Sequence, residues 1–383
     1  MTNGGGAVTN GGGAVTNGGG AVASGGGAVT NGGGAVTTLI EPGPVPAGTG
    51  GAGVKRIGII GTGIMGADHA RLLTHAVSGA AVGGVFDLDG DRARAVAGAS
   101  GGARVFADPY ALIADDDIDA VLIASSDATH EEYVLACIAA GKQVLCEKPL
   151  APTVDGCARI LEAETAHGSR LITVGFMRRF DPGYTDLKAL LATGEIGAPL
   201  MLHNVHRNPA AVPGMPSANL ITNSAVHELD ITRWLFDSEI TEVAVHTPRP
   251  TGNSGGTRDP QLLILTTASG VLSDVEIFVN ARYGYEVRCE LVAETGTVTL
   301  DAPPPTSVRR SGLHARALPA DWRPRFAEAY RLELQDWIDG TAHGATAWDG
   351  FAATFVAQAC VNALESGERY TVEMPAIPGL YRR

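Results

Sequence analysis

Residues 143–149 read QVLCEKP, an apolar run that ends in Glu147, Lys148 and Pro149. A lysine held at the end of a buried strand, with a rigid proline behind it, is placed to move a proton on or off a substrate. Upstream lies VKRIGIIGTGIMG, residues 54–66, and downstream NSAVHELD, residues 223–230. The three segments together set a lysine and a histidine that can handle protons around a glycine-rich turn, the parts that oxidation of an alcohol by a dinucleotide would use. Such a reaction needs a hydride acceptor, a base for the hydroxyl proton, a group that stabilises alkoxide and orienters for the other hydroxyls.

The coenzyme reading rests on glycines. RIGII reads as a continuous apolar strand buried on both faces, and it runs into Gly61, Gly63 and Gly66, with Ile64 and Met65 between them. The first glycine permits a tight turn, the second lets the backbone approach a pyrophosphate, and the third allows close helix packing. This match follows a strand, opens a helix at ADHARLL and is succeeded by AAVGGVFD, a second strand ending in Asp87, 21 positions after Gly66. An acid at that spacing accepts hydrogen bonds from the adenosine ribose and repels a 2′-phosphate, so NAD is expected rather than NADP. No arginine is expected beside Asp87 to meet a phosphate. The other use of Asp87 would be to cap the next helix, for which Asp89 and Asp91 are better placed.

Further strands are expected at DAVLIASS and QVLCE, separated by a helix beginning near His130 and Glu131. Ligands of open parallel sheets bind beyond the carboxyl ends of the strands, which places Ser125, Ser126, Thr129 and Lys148 on one rim. Ser125, Thr129 and Glu147 therefore join the glycines, Ile64, Met65 and Asp87 as expected coenzyme contacts. Glu147 is also expected to brace its loop or pair with Lys148.

Residues 2–36 are five copies of a seven-residue unit, TNGGGAV four times and ASGGGAV once. Three glycines per unit oppose helix, and adjacent apolar residues make no coiled-coil seam. Residues 1–53 are expected to be a disordered glycine-rich tail, 54–175 a Rossmann domain, and 176–383 a substrate-binding and oligomerisation α/β domain. In the last of these, alternating strands are read at LMLHNVHRN, ITEVAVH, QLLILTT, VLSDVEIFVN and YEVRCELVA, followed by two long amphipathic helices, FAEAYRLELQDWIDG and WDGFAATFVAQACVNALESG. The chain carries 41 acidic against 28 basic residues, which disfavours nucleic acid and anionic membranes as partners. Its apolar runs are too short for a membrane span. Five scattered cysteines suggest neither disulfides nor a metal site, and a reducing cytoplasm is expected.

From Val54 onward the chain resembles the glucose-fructose oxidoreductase and inositol dehydrogenase family. The resemblance is carried by GTGIMGADHA, CEKPLA, VGFMRRFDPGY, HRNPAA, VHELDITRWL, YGYEVRCELV and TAWDGFAA, and the order of VGFMRRFDPGY, HRNP and YGYEVRCE is specific to its inositol branch. It implies an α/β fold, a Rossmann domain followed by an α/β domain with a large, open, mostly antiparallel sheet, and a homotetramer. It implies NAD-dependent oxidation of a cyclitol ring hydroxyl to a ketone, first of all myo-inositol to scyllo-inosose. A related cyclitol, inosamine or aldose is the alternative substrate, and a non-catalytic nucleotide sensor the alternative class. By the same resemblance Lys148 and His227 are the catalytic pair, and Arg178, His206, Asn208 and Tyr285, with Tyr283 behind them, contact the small polyol substrate. Arg179, Arg207 and Asp181 adjoin these positions as structural ion-pair candidates. One departure stands out: the family places an aspartate four residues before the histidine, and this chain has Asn223. An amide orients an imidazole without charging it. Asn223 or Ser224 could also simply cap the helix.

Overall fold

The apolar runs that open the folded chain form six parallel strands. In the computed structural model, which describes residues 53–301 and 306–382, these are β1 (Lys55–Ile60), β2 (Ala80–Phe86), β3 (Arg104–Val105), β4 (Ala120–Ile123), β5 (Gln143–Glu147) and β6 (Ile172–Gly175), in the order β3-β2-β1-β4-β5-β6. The expected tail over residues 1–53 lies outside the described residues apart from Gly53. Helices α1 (Ile64–His75), α2 (Gly90–Ala99), α3 (Pro109–Ile113), α4 (His130–Ala139) and α5 (Val154–His167) alternate with the strands. Continuous apolar strands need cover on both faces, and the crossover helices supply it. Strand order reverses between β1 and β4, the point where such sheets open a ligand crevice.

A second sheet has the order β12-β11-β7-β10-β9-β8-β15. Its strands are β7 (Pro199–Arg207), β8 (Ile240–His246), β9 (Gln261–Thr267), β10 (Leu272–Phe278), β11 (Glu286–Ala293), β12 (Thr297–Leu300) and, near the carboxyl end, β15 (Tyr370–Thr371). A small hairpin, β13 (Val308–Arg310) with β14 (Leu313–Ala315), stands apart. Only β7 and β10 pair in parallel; every other neighbour is antiparallel. Burial alternates along these strands, so Leu202, Asn204 and His206 point inward on β7 while His203, Val205 and Arg207 point outward. Helices α6 (Pro182–Thr193), α7 (Val226–Phe236) and α9 (Ala347–Ser366) supply the apolar side chains that meet the inner face.

The late helices return to the first sheet. Phe326, Leu334 and Ile338 of α8 (Trp322–Asp339) share a core with Leu72 and Leu73 of α1, and Lys55 Nζ donates to Ile338 O at 2.7 Å. Trp348, Phe351 and Ala352 of α9 pack with Ile160 and Val174, while Val356 and Cys360 farther along the same helix pack under the second sheet. A helix buried nearly all round is explained by serving two cores. Its start is defined by a capping box, Thr346 with Asp349.

Arg179 cross-links these layers. From the short turn Met177–Phe180 it donates to Asp230 of α7 at 2.6 and 2.9 Å and lies 3.0 Å from Asp349 of α9. Burial works against the charge of Asp349, but Arg179 and Arg233 outweigh it and hold its carboxyl far down. Asp181, which caps α6, is paired with Arg325 of α8 at 2.5 Å, and Arg207 with Glu276 at 2.6 Å, so all three residues serve as structural ion pairs. Arg179→Met strands Asp230 in a dry core. We expect it to lose about 3–5 kcal/mol of stability in urea unfolding; a loss under about 1 kcal/mol would show that the cross-link contributes little.

Candidate active site

At the strand-order reversal, β1 is followed by Gly61 with φ of 91°. A Cβ there would sit 2.5 Å from Ser125 N and 2.6 Å from Ala124 O, and one on Gly66 would sit 1.8 Å from Gly61 O. Both positions are therefore closed to any side chain. Gly63 is the opposite case, with nothing within 4 Å of its missing Cβ, and as the N-cap of α1 it leaves the helix's first amides without a side-chain partner. A bare helix amino end facing open space suits a pyrophosphate. Gly61, Gly63, Asp87, Ser125 and Thr129 line one cleft of about 320 Å³, with the Ser125 and Thr129 hydroxyls 2.8 Å apart.

Asp87 is heavily engaged. Its Oδ2 accepts from Thr62 N at 2.7 Å and Thr62 Oγ1 at 2.9 Å, and its Oδ1 from Asp89 N at 2.8 Å and Arg92 Nη2 at 2.9 Å. Burial opposes ionisation, but these donors outweigh it and bring the carboxyl down to about 2. The expectation that no arginine stands beside Asp87 is overturned: the first turn of α2 brings Arg92 back onto it. Asp89 caps that helix as expected, accepting from Asp91 N and Arg92 N.

Not every expected coenzyme contact offers its side chain to the cleft. Ile64 is exposed and Met65 half-buried on the first turn of α1, and Gly66 acts by packing. Glu147 turns inward instead. Its Oε1 lies 2.7 Å from His69 Nε2 and its Oε2 accepts from Lys148 N at 3.2 Å, so it braces the loop through a buried partner that the sequence did not single out. Burial raises its pKa, but His69 and Lys148 more than compensate.

Lys148, half-buried just past β5, donates from Nζ to Asn223 O at 3.1 Å and Asn223 Oδ1 at 3.2 Å. Asn223 sits in a π-helical turn, Leu220–Ala225, that runs directly into α7. Such wide turns often mark functional sites because they re-aim side chains. Neither Asn223 nor Ser224 caps α7 through its side chain. His227, 8% exposed, occupies the first turn of α7, edge-on to Phe176, and its Nδ1 is buried without a hydrogen-bond partner. Burial, with Lys148, Arg178 and His206 around it, holds its pKa well below 6.5. The imidazole is thus neutral at neutral pH. Burial together with Arg178 also lowers the Lys148 pKa, against the pull of nearby carboxylates.

Behind this pair lies a buried polar group. Arg178, 1% exposed, is paired with Glu228 and lies 3.2 Å from His206 Nδ1, which is itself 3.0 Å from Glu228. Tyr285 packs edge-on to His206, and burial pushes its hydroxyl up to about 12. Direct substrate contact by Arg178 is not met in this arrangement, since its guanidinium is enclosed and committed to Glu228 and His206. Asn208 is half-buried just beyond β7, tied by backbone bonds to Phe278 and Ala281. Tyr283 lies outside the group, bonded to Arg207 and Glu286 on the outward face of the sheet. Glu228 was not anticipated. Its only sequence signal is a charge next to His227, between the apolar Val226 and Leu229.

Residues 55–176 match the model of an oxidoreductase family with an NAD-binding Rossmann fold, and residues 184–299 that of the GFO/IDH/MocA C-terminal domain. The chain is 52% identical to inositol 2-dehydrogenase 2 of Saccharopolyspora erythraea over 85% of its own length and 97% of that relative. It is 49% identical to inositol 2-dehydrogenase of Ralstonia nicotianae over 85% of its length and 99% of that relative. Among solved structures it is similar to myo-inositol dehydrogenase from Lactobacillus casei in complex with NAD(H) and myo-inositol. There the TM-score is 0.82 at 37% identity, covering 86% of this chain and all of the other.

The glycine geometry makes a prediction of its own. Gly66→Ala must push Gly61 out of its turn, because its Cβ would lie 1.8 Å from the Gly61 carbonyl oxygen. Fluorescence titration should show NADH binding weakened at least tenfold; unchanged affinity would mean that this turn does not hold the dinucleotide.

Proposed function

The chain belongs to the oxidoreductase family with an NAD-binding Rossmann fold and a GFO/IDH/MocA C-terminal domain, and from that premise we propose that it oxidises a cyclitol ring hydroxyl with NAD, converting myo-inositol to scyllo-inosose. The observation that carries this reading is the contact of Lys148 with Asn223, one turn from a buried, neutral His227. When bound, the nicotinamide supplies the hydride acceptor. Gly61, Gly63 and the open first turn of α1 would hold its diphosphate, and Asp87, Ser125 and Thr129 would border the rest.

The protein's own groups divide the remaining work. The Lys148 ammonium, kept in place by two acceptors on one residue, stabilises the alkoxide that forms as the proton leaves. His227 takes up that proton, as its lowered pKa keeps the ring unprotonated around neutrality. Asn208, His206 and Tyr285 orient the other hydroxyls, and Arg178 and Glu228 hold His206 and Tyr285 in register. Asn223 in place of the family aspartate leaves the pair without a carboxylate. This favours, as a second reading, a related cyclitol, inosamine or aldose as the preferred substrate.

We further infer a homotetramer. In support, the outward face of the second sheet carries Val205, Leu262, Ile264 and Val292 among its charges. A reducing cytoplasm fits five cysteines that are all buried and unpaired. Among the described residues no helix is long and apolar enough to cross a membrane.

NADH formation across a cyclitol panel tests the substrate, with myo-inositol expected to lead; turnover of another polyol alone would favour the second reading. Lys148→Met should lower kcat by about 10²- to 10⁴-fold. A residual rate near wild type would remove Lys148 from the chemistry. The acid limb of kcat/KM should lie below pH 6.5, because protonation of His227 is what stops the reaction. Asn223→Asp adds an opposite charge that favours both protonated forms, so that limb should move to higher pH. A profile that stays put would separate residue 223 from the titrating group.

A further inference from the structure

Asp87 has four acceptor sites on its carboxylate, and the chain fills all four: two with Thr62, one with Asp89 N and one with Arg92 Nη2. A ribose hydroxyl can bind Asp87 only by displacing one of these donors. Two are backbone amides, and the Thr62 hydroxyl is buried with its own backbone. Arg92 is different. Its side chain is 56% exposed, it stands on the first turn of α2, and its second contact, Nε to Asp89, is a loose 3.5 Å. Exposed pairs of this kind form and break readily. Arg92 is thus the one displaceable donor on the residue that faces the 2′ position.

That position bears a hydroxyl in NAD and a phosphate in NADP. With Asp87 alone, a 2′-phosphate would meet a bare carboxylate and be repelled. With Arg92 in place, Nη2 can stay on Asp87 while Nη1 turns outward, so that the guanidinium stands between the two anions as a bridging cation. Both Asp87 and Arg92 line the same cleft. We propose that Arg92 selects between coenzymes in this chain, competing with the ribose of NAD for Asp87 and receiving the 2′-phosphate of NADP, so that the site takes both dinucleotides. This rests on the dinucleotide reading of the cleft.

Binding tests it without any polyol. NADH and NADPH are titrated by nicotinamide fluorescence into the full chain, its Arg92→Ala variant and its Arg92→Lys variant. Wild type should bind both. Arg92→Ala should weaken NADPH about 10- to 100-fold, the range of a hydrogen bond to a charged group. It should tighten NADH, because Asp87 gains a free acceptor, and Arg92→Lys should keep part of the NADPH affinity. Binding of NADH but not NADPH by wild type would overturn the proposal alone, as would a shift of both coenzymes in the same direction in Arg92→Ala. Binding of neither would sink the dinucleotide reading with it.

Discussion

A cationic amine at the end of β5 must be held still in a half-buried, crowded place, and much of the surrounding structure serves that constraint. Lys148 cannot be fixed by its own strand, since four methylenes separate its charge from the backbone. It is fixed by Asn223, whose carbonyl and amide oxygens both accept from Nζ. The contact joins the rim of the first sheet to the turn leading into α7, and so places the histidine of that helix beside the lysine. The same low-dielectric crowding sets the chemistry. Each cation near His227 makes a second positive charge there more costly, which keeps the ring a base.

The scaffold keeps that contact in register through buried charge and through helices that serve two cores. Arg178 with Glu228 and Arg179 with Asp230 connect one short turn to two positions in the first half of α7, on either side of Leu229. Buried ion pairs contribute little net stability against well-packed apolar replacements, but they tolerate only one geometry. Alternation along β7 assigns each neighbour a different task. His206 faces the buried polar group, while Arg207, one residue on, faces outward to Glu276 and Tyr283. Helices α8 and α9 close the arrangement by packing against the first sheet, and only the edge strand β15 of the second follows them.

Much of this was legible in the residues. Strand and helix positions follow from period and from glycine, because local sterics and burial act over a few residues. The turn at Gly61 and Gly66 was readable for the same reason, as only a missing Cβ allows those approaches. Partners distant in the chain were not readable. His69 meets Glu147 across 78 positions and Arg178 meets Glu228 across 50, and no local pattern announces either pair. Arg92 was overlooked for a subtler reason: it lies close to Asp87 in sequence, but only the first turn of α2 folds it back onto the carboxylate.

By itself the sequence determined the order of elements, the dinucleotide turn, the acid at the end of β2, and the lysine and histidine as candidates, since each depends on residue type and short-range spacing. Only the tertiary structure decided what surrounds each charge. It enclosed Arg178, turned Glu147 toward His69, widened the helix at Asn223 and lowered the His227 pKa. Desolvation and Coulomb interaction depend on distances through space, and those exist only once two sheets and the helices between them have closed on one another.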